Sequence, residues 1–257
     1  MNYPEAIVAV VLSMGVSVGL SYAVHRLVHV EIRRRHQEVG VTVFLQLGVL
    51  FAVLLAFVFS EAYGEYGEAQ RAIDLECGAL HAASMLESSL PPPEGRVMLE
   101  LESRYIRDVV ERDWPAMRRD REGSPLAVAD LMALMQHAAR LPIADPALMP
   151  VKEQLLTLLS TAHAEREVRL FQAGNGLPVV LWLVLVGFSL VLMTFVACSG
   201  MERFLSLTVF GMTFAVCVSA ILVLVRLLDY PFEGSLALPP TDFLARLADV
   251  GSLLMIL

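Results

Sequence analysis

Charge is scarce in this chain, and what there is leans acidic. Only 18% of its 257 residues are charged, against about a quarter in an ordinary soluble domain. The net charge of −8 leaves no basic excess to neutralise phosphates, which excludes nucleic acid as a partner. Cysteine is nearly absent as well. The three present, Cys77, Cys198 and Cys217, form no CxxC or other ligand spacing. Neither a disulfide framework nor a metal site is expected, and all three read as small buried apolar side chains. No glycine-rich phosphate cradle, nucleophile elbow or HExxH occurs, so no catalysis, cofactor or metal is expected. Strand signals are missing throughout. The N-terminus, Met1-Asn2-Tyr3-Pro4-Glu5, lacks the positive region of a signal peptide, so the apolar run that follows reads as retained.

What the chain has in abundance is long apolar runs. Four occur, at about residues 5–24, 41–60, 179–199 and 204–225, with no charge at their centres. Each is near or above the ~18–20 residues that cross a bilayer as a helix. Backbone in lipid must satisfy its own hydrogen bonds, which makes helices of all four. The predicted fold is an all-α membrane protein: four transmembrane helices in two hairpins, with a helical soluble insert between spans two and three. The expected divisions are a first hairpin at 1–62, the extramembrane insert at 63–177, a second hairpin at 178–228, and a C-terminal turn and amphipathic helix at 229–257. The loop after the first span carries Arg26, Arg33, Arg34 and Arg35, and the loop after the third carries Arg203. Basic short loops mark the cytoplasmic side. The insert is therefore expected on the extracytoplasmic side of an inner membrane, although Arg166, Arg169 and Arg226 flank the other side and oppose this. His25, His29 and His36 of the first loop lack the further ligands a metal would need and read as an exposed juxtamembrane segment. Arg33–Arg35 are expected to set topology and touch anionic lipid.

The insert, with 18 acidic and 12 basic residues, reads as three or four helices. Leu75, Ala79, Ala82, Leu86 and Leu90 recur at helical spacing until Pro91-Pro92-Pro93 stops the pattern. Val97, Leu101, Tyr105 and Val109 form a second stripe ending near Trp114. Ser124-Pro125 starts a third helix, with Leu131, Leu134, Met135, Ala138 and Leu141 on its apolar side. Pro142, Pro146 and Pro150 interrupt the chain before Val151, Leu155, Leu158 and Ala162. The second span is expected to run on into the insert, with a bend at Gly64 and Gly67. After Asp229–Gly234, a short helix with Phe243, Leu244, Leu247, Gly251 and Leu254 on one face lies in the membrane interface or on the spans, or docks in the chain's own core.

Candidate functional residues gather on the second span. Thr42, Gln46, Val49, Val53, Ala56 and Ser60 share one helical face. A polar stripe in lipid faces a bundle interior or a watery path, so these residues either line a pathway or hydrogen-bond to neighbouring helices. As a pathway, Thr42, Gln46 and Ser60 line it while Val49, Val53 and Phe57 constrict it. Glu61 and Glu65 just beyond form an acidic mouth or simply the solvated end of a helix. Two ridges of small residues, Gly48, Ala52, Ala56 and Gly211, Ala215, Ser219, suit close helix packing, within one subunit or between subunits.

Two stretches carry a family likeness. One is Leu55-Ala56-Phe57, then Tyr63, Ala69 and Ile73, then Glu76-Cys77-Gly78-Ala79-Leu80. The other is Asp229-Tyr230-Pro231-Phe232-Glu233-Gly234. With the two-plus-two layout they resemble the bestrophin-like domain family, whose motif positions here are Glu76, Asp229, Pro231, Phe232 and Gly234; Cys77 stands where alanine is expected. The resemblance implies kinship with bestrophins, pentameric and mainly anion-conducting channels whose second span lines a neck and whose helical domain is cytoplasmic. On that last point it disagrees with the arginine distribution. No acidic cluster suggests a calcium clasp. The sequence thus supports a homo-oligomer in a lipid bilayer that passes ions along its second span. The alternative is a non-conducting membrane sensor or scaffold acting through the insert.

Overall fold

The computed structural model describes residues 1–142 and 146–256, the side chain of Ala147 aside. Leu257 and residues 143–145 of the expected segments lie outside the described residues. Every element is helical, and no strand occurs among the described residues. Four helices are long and apolar enough to cross a membrane: α1 (Tyr3–Leu27), α3 (Gln37–Glu87), α8 (Val179–Ala197) and α9 (Phe204–Leu228). Only 11–28% of each one's apolar window is buried inside the protein. Such a surplus of outward apolar surface is stable in lipid and costly in water. The chain divides into two compact units, residues 1–64 with 176–229, and residues 65–175 with 230–257.

In the first unit, α1 begins on a reciprocal cap, with Asn2 N donating to Glu5 Oε2 at 2.9 Å and a proline in its first turn. It packs on α9, and α8 packs on both. The α1–α9 seam is made of small residues. Ser17 and Ser21 face Gly211, where an added Cβ would stand 2.8 Å from Ser17 Oγ, and Ser13 Oγ donates to the Ala215 carbonyl at 3.2 Å. The first part of α3 lies against α8 and α9 through ring contacts, Phe51 on Phe188 at 5.8 Å and Phe44 on Phe214 at 5.9 Å. A short helix, α2 (Val30–Arg35), joins α1 to α3. Its Arg33 Nη1 donates to the Ser199 carbonyl at 2.8 Å, which ties the two short loops of this unit together. Asp229 Oδ1 accepts from Leu177 N at 2.7 Å. Cys198 and Cys217 are exposed and only Cys77 is buried. The expectation of three buried cysteines is thus corrected: Cys217 sits on the outer surface of α9, where lipid makes an exposed thiol unobjectionable, and Cys198 sits in the turn that follows α8.

The second unit holds the remainder of α3 with α4 (Glu94–Asp108), a π-helical turn (Val109–Asp113), α5 (Trp114–Asp120), α6 (Pro125–Arg140), α7 (Met149–Gly174) and α10 (Thr241–Ile256). Leu80, Met98, Leu99, Ile106, Met117, Leu131, Leu134 and Leu155 are fully buried in its core. Ser124 caps α6, accepting from Leu126 N at 3.3 Å. Several expectations need correction. Leu75 is 43% exposed and Val97 also faces outward; the buried face of α3 is Ala69, Ile73, Glu76, Leu80 and Ala83. The rest of both stripes points inward as expected, with Ala79, Leu90, Tyr105 and Val109 buried and Leu86 and Leu101 packed on the core, and Glu76 joins the inward face as a paired carboxylate. The chain does not leave the helix near Trp114. Pro115 cannot donate to the carbonyl one turn back, and the π turn before it absorbs the mismatch. As expected, α3 continues from the second span into the insert as one helix, Gln37–Glu87. Finally, α10 packs on α4 and the π turn with Phe243 and Val250 buried and Leu244 outward, so the tail docks in the chain's own core.

Candidate functional site

The apolar half of α3 has two unlike faces. Phe51 is 5% and Val58 4% exposed, with Leu55 and Ala62 buried on the same side; this side meets α8 and α9. The other side carries Thr42, Gln46, Val49, Val53, Ala56, Phe57 and Ser60, all exposed. Val49 is 65% and Phe57 72% exposed. The whole polar stripe therefore stands on the face of α3 that its own chain leaves uncovered. Thr42 Oγ1 satisfies itself by donating to the Glu38 carbonyl at 2.9 Å. Glu61 continues the exposed face. Glu65, in the second unit, is half-buried and accepts from Asn175 Nδ2 at 2.8 Å.

The two small-residue ridges lie in different settings. Gly211, Ala215 and Ser219 are buried, with Gly211 and Ala215 in the seam with α1. Ala52 and Ala56 are exposed, and nothing lies within 4 Å of a Cβ added at Gly48. The ridge on α3 is free of contacts within its own chain and lies beside the polar stripe.

The second unit contains a buried ion-pair cluster that the sequence reading missed. Arg169 Nε donates to Glu76 Oε2 at 2.8 Å, and Arg169 Nη2 to Asp113 Oδ2 at 3.3 Å. Arg166 Nη2 donates to Asp113 Oδ1 at 3.1 Å, Tyr105 Oη to Glu76 Oε1 at 2.5 Å, and Ser124 N to Asp113 Oδ1 at 2.6 Å. Both arginines and both carboxylates are buried. Burial opposes the Arg169 charge, but the Glu76 carboxylate outweighs it and keeps the guanidinium protonated. Burial, then Glu76, pushes the Tyr105 phenol up, so it remains a donor. The signal was present: Arg166 and Arg169 continue the stripe Leu155, Leu159, Ala162 at the same helical spacing. The motif after α9 packs alongside. Phe232 meets Trp114 edge-on at 5.7 Å, Arg121 lies over Tyr230 at 3.6 Å and donates to Glu233, and Pro231 O accepts from Leu238 N at 2.8 Å. Gly234 turns the chain with φ 76°, a left-handed conformation that suits glycine. These motif residues hold the second unit together.

Comparison with known proteins agrees with this architecture. A family model described as Bestrophin-like domain matches residues 11–243. No curated protein matches the chain. Among solved structures, a bacterial bestrophin homologue from Klebsiella pneumoniae superposes with a TM-score of 0.75 at 13% identity, over 95% of this chain and 98% of that chain. A single-substitution variant of a Klebsiella pneumoniae bestrophin homologue gives 0.74 at 14% identity, over 96% and 98%. A structure described only as a membrane protein gives 0.74 at 14%, over 96% and 97%. At such identities the likeness is one of fold.

Proposed function

Since the chain belongs to the Bestrophin-like domain family, we propose that it assembles as a homo-oligomeric ion channel with α3 lining the pathway. The spans pass through the membrane as two hairpins, α1 with α3 and α8 with α9. Residues 63–177 form the insert between them. One observation carries this reading: Thr42, Gln46 and Ser60 stand on the α3 face that the chain does not cover itself. A glutamine facing lipid is costly. Copies of α3 arranged about a shared axis remove that cost, because the stripe then faces water and the neighbouring Gly48–Ala52–Ala56 ridge meets the next subunit. Val49, Val53 and Phe57 form an apolar constriction able to gate by dewetting, and Glu61 follows Ser60 at its end.

Purified protein in planar bilayers tests the proposal. Wild type gives unitary currents. Gln46→Leu lowers their conductance about fivefold, the effect of ~1 kcal/mol lost from a polar group facing the ion, and Glu61→Gln shifts cation-over-anion preference. A folded oligomer that stays silent across salts and pH favours the second reading, a non-conducting sensor or scaffold. The arginines of residues 26–35 support an inner-membrane orientation with the insert outside. Thiol labelling of a cysteine engineered into the insert, from outside intact cells, tests that; labelling from the cytoplasmic side alone reverses it.

A further inference from the structure

A cavity of about 750 Å³ in the first unit is a groove between α3, α8 and α9 that opens from the two short loops. Its two ends differ in chemistry. At the loop end its wall includes Arg33, His36 and Ser199. Along the helices it is walled by Val41, Phe44, Phe214 and other apolar residues, as far as Cys217. On α9 its wall runs from Phe210 to Cys217, about 10 Å at 1.5 Å per residue. That is about two thirds of the ~15 Å hydrocarbon depth of one leaflet, enough to seat the upper part of an acyl chain.

The polar end has unmet hydrogen-bonding capacity. Arg33 is 4% exposed. Its Nη1 serves the Ser199 carbonyl, but its Nε and the Ser199 hydroxyl are buried with no partner. A buried guanidinium without an anion carries a large desolvation cost. Among the described residues no carboxylate pairs with this one: Glu202 pairs with Arg34 at 2.6 Å. Residues 25–40 hold four arginines against two glutamates, in a chain whose net charge is −8. A cation and a hydroxyl at one end of an apolar slot match a phosphate joined to an acyl chain.

We infer that this groove binds an anionic phospholipid of the surrounding bilayer. Its phosphate lies on Arg33 and Ser199, and one acyl chain lies between α3 and α9. The planar fork of arginine suits phosphate oxygens. The inference concerns a lipid-facing groove and does not depend on conduction.

The test uses the full chain carrying Phe214→Trp and Trp182→Phe, reconstituted in phosphatidylcholine vesicles. Brominated phosphatidylglycerol or brominated phosphatidylcholine is added at equal mole fraction as a quencher. Fluorescence of the same protein without Phe214→Trp is subtracted. The anionic lipid should occupy the groove with about fivefold preference, as expected for one arginine meeting an anionic head group. Arg33→Gln should bring the two lipids to parity, and Arg33→Lys should keep the preference. Equal quenching by both lipids with Arg33 intact overturns the inference, because the groove then selects no head group. Absence of quenching by either, in a folded oligomer, also overturns it and points to a second copy covering the groove. Should Arg33→Gln not fold, the comparison of the two lipids on the arginine-bearing protein still decides.

Discussion

Arg169 shows how a single residue organises the second unit. Its guanidinium bridges Glu76 on α3 to Asp113 on the π turn, with Trp114 and Phe243 rings 5.0 and 5.4 Å away. Arg169→Met should destabilise the fold by about 3–5 kcal/mol, since it leaves two buried carboxylates short of their partner. Chemical denaturation followed by Trp114 fluorescence measures this; a loss under ~1 kcal/mol contradicts the assignment. The cluster was hard to read because its members are far apart in sequence, 93 positions between Arg169 and Glu76. Two arginines on an apolar stripe were visible. Their carboxylate partners were not, and the pair was read as charge flanking the third span. Gly211 is a simpler case: its ridge was legible, but which helix it faces was not. Gly211→Val should cost about 1–3 kcal/mol through overpacking against Ser17 and Ser21, read as a lower unfolding temperature in detergent.

At the scale of elements, α3 and α4 hold a pair of buried carboxyls that sequence periodicity does not reveal. Glu87 and Glu102 are both buried and hydrogen-bond to each other, and among the described residues no other group donates to their oxygens. Arg246 of α10 is the nearby cation; it also meets His81 Nδ1 at 2.5 Å and Asp249 at 2.9 Å. Burial first, then the facing Glu87, pushes the Glu102 carboxyl well up. The folded state therefore holds a proton that the unfolded chain releases near pH 4.3. The stabilisation is complete below that pH and is lost as pH rises through the folded value, with a slope of at most ~1.4 kcal/mol per pH unit for one group. Thermal unfolding should show stability falling from pH 5 to pH 8, and Glu102→Gln should flatten the fall. An unchanged slope in the variant contradicts this. On the same two helices apolar spacing misplaces single positions: Leu75 and Val97 are exposed while Glu76 and Glu102 are buried, although Ala79, Leu90, Tyr105 and Val109 of the same stripes lie in the core. Where paired or protonated carboxyls take core positions, hydrophobic spacing does not reveal them. Helix α6, whose core side is Leu131, Leu134 and Ala138, contains no such exception and was legible as it stands.

For the whole molecule, the four long apolar runs and the helical character were legible because lipid imposes one strong rule on backbone and side chain alike. Thr42, Gln46 and Ser60 could be placed on one face of α3 from spacing alone. What covers that face could not be placed from spacing; in the proposed channel, other copies of the chain cover it. The most direct test is cysteine accessibility along α3 in the reconstituted protein, with Cys198 and Cys217 replaced. Water-soluble thiol reagents should reach Gln46→Cys and Ser60→Cys and alter the current through them, and should leave Leu55→Cys and Val58→Cys unmodified. Reagents that reach neither stripe position in a folded oligomer, or that react equally all round the helix, contradict a pathway lined by α3.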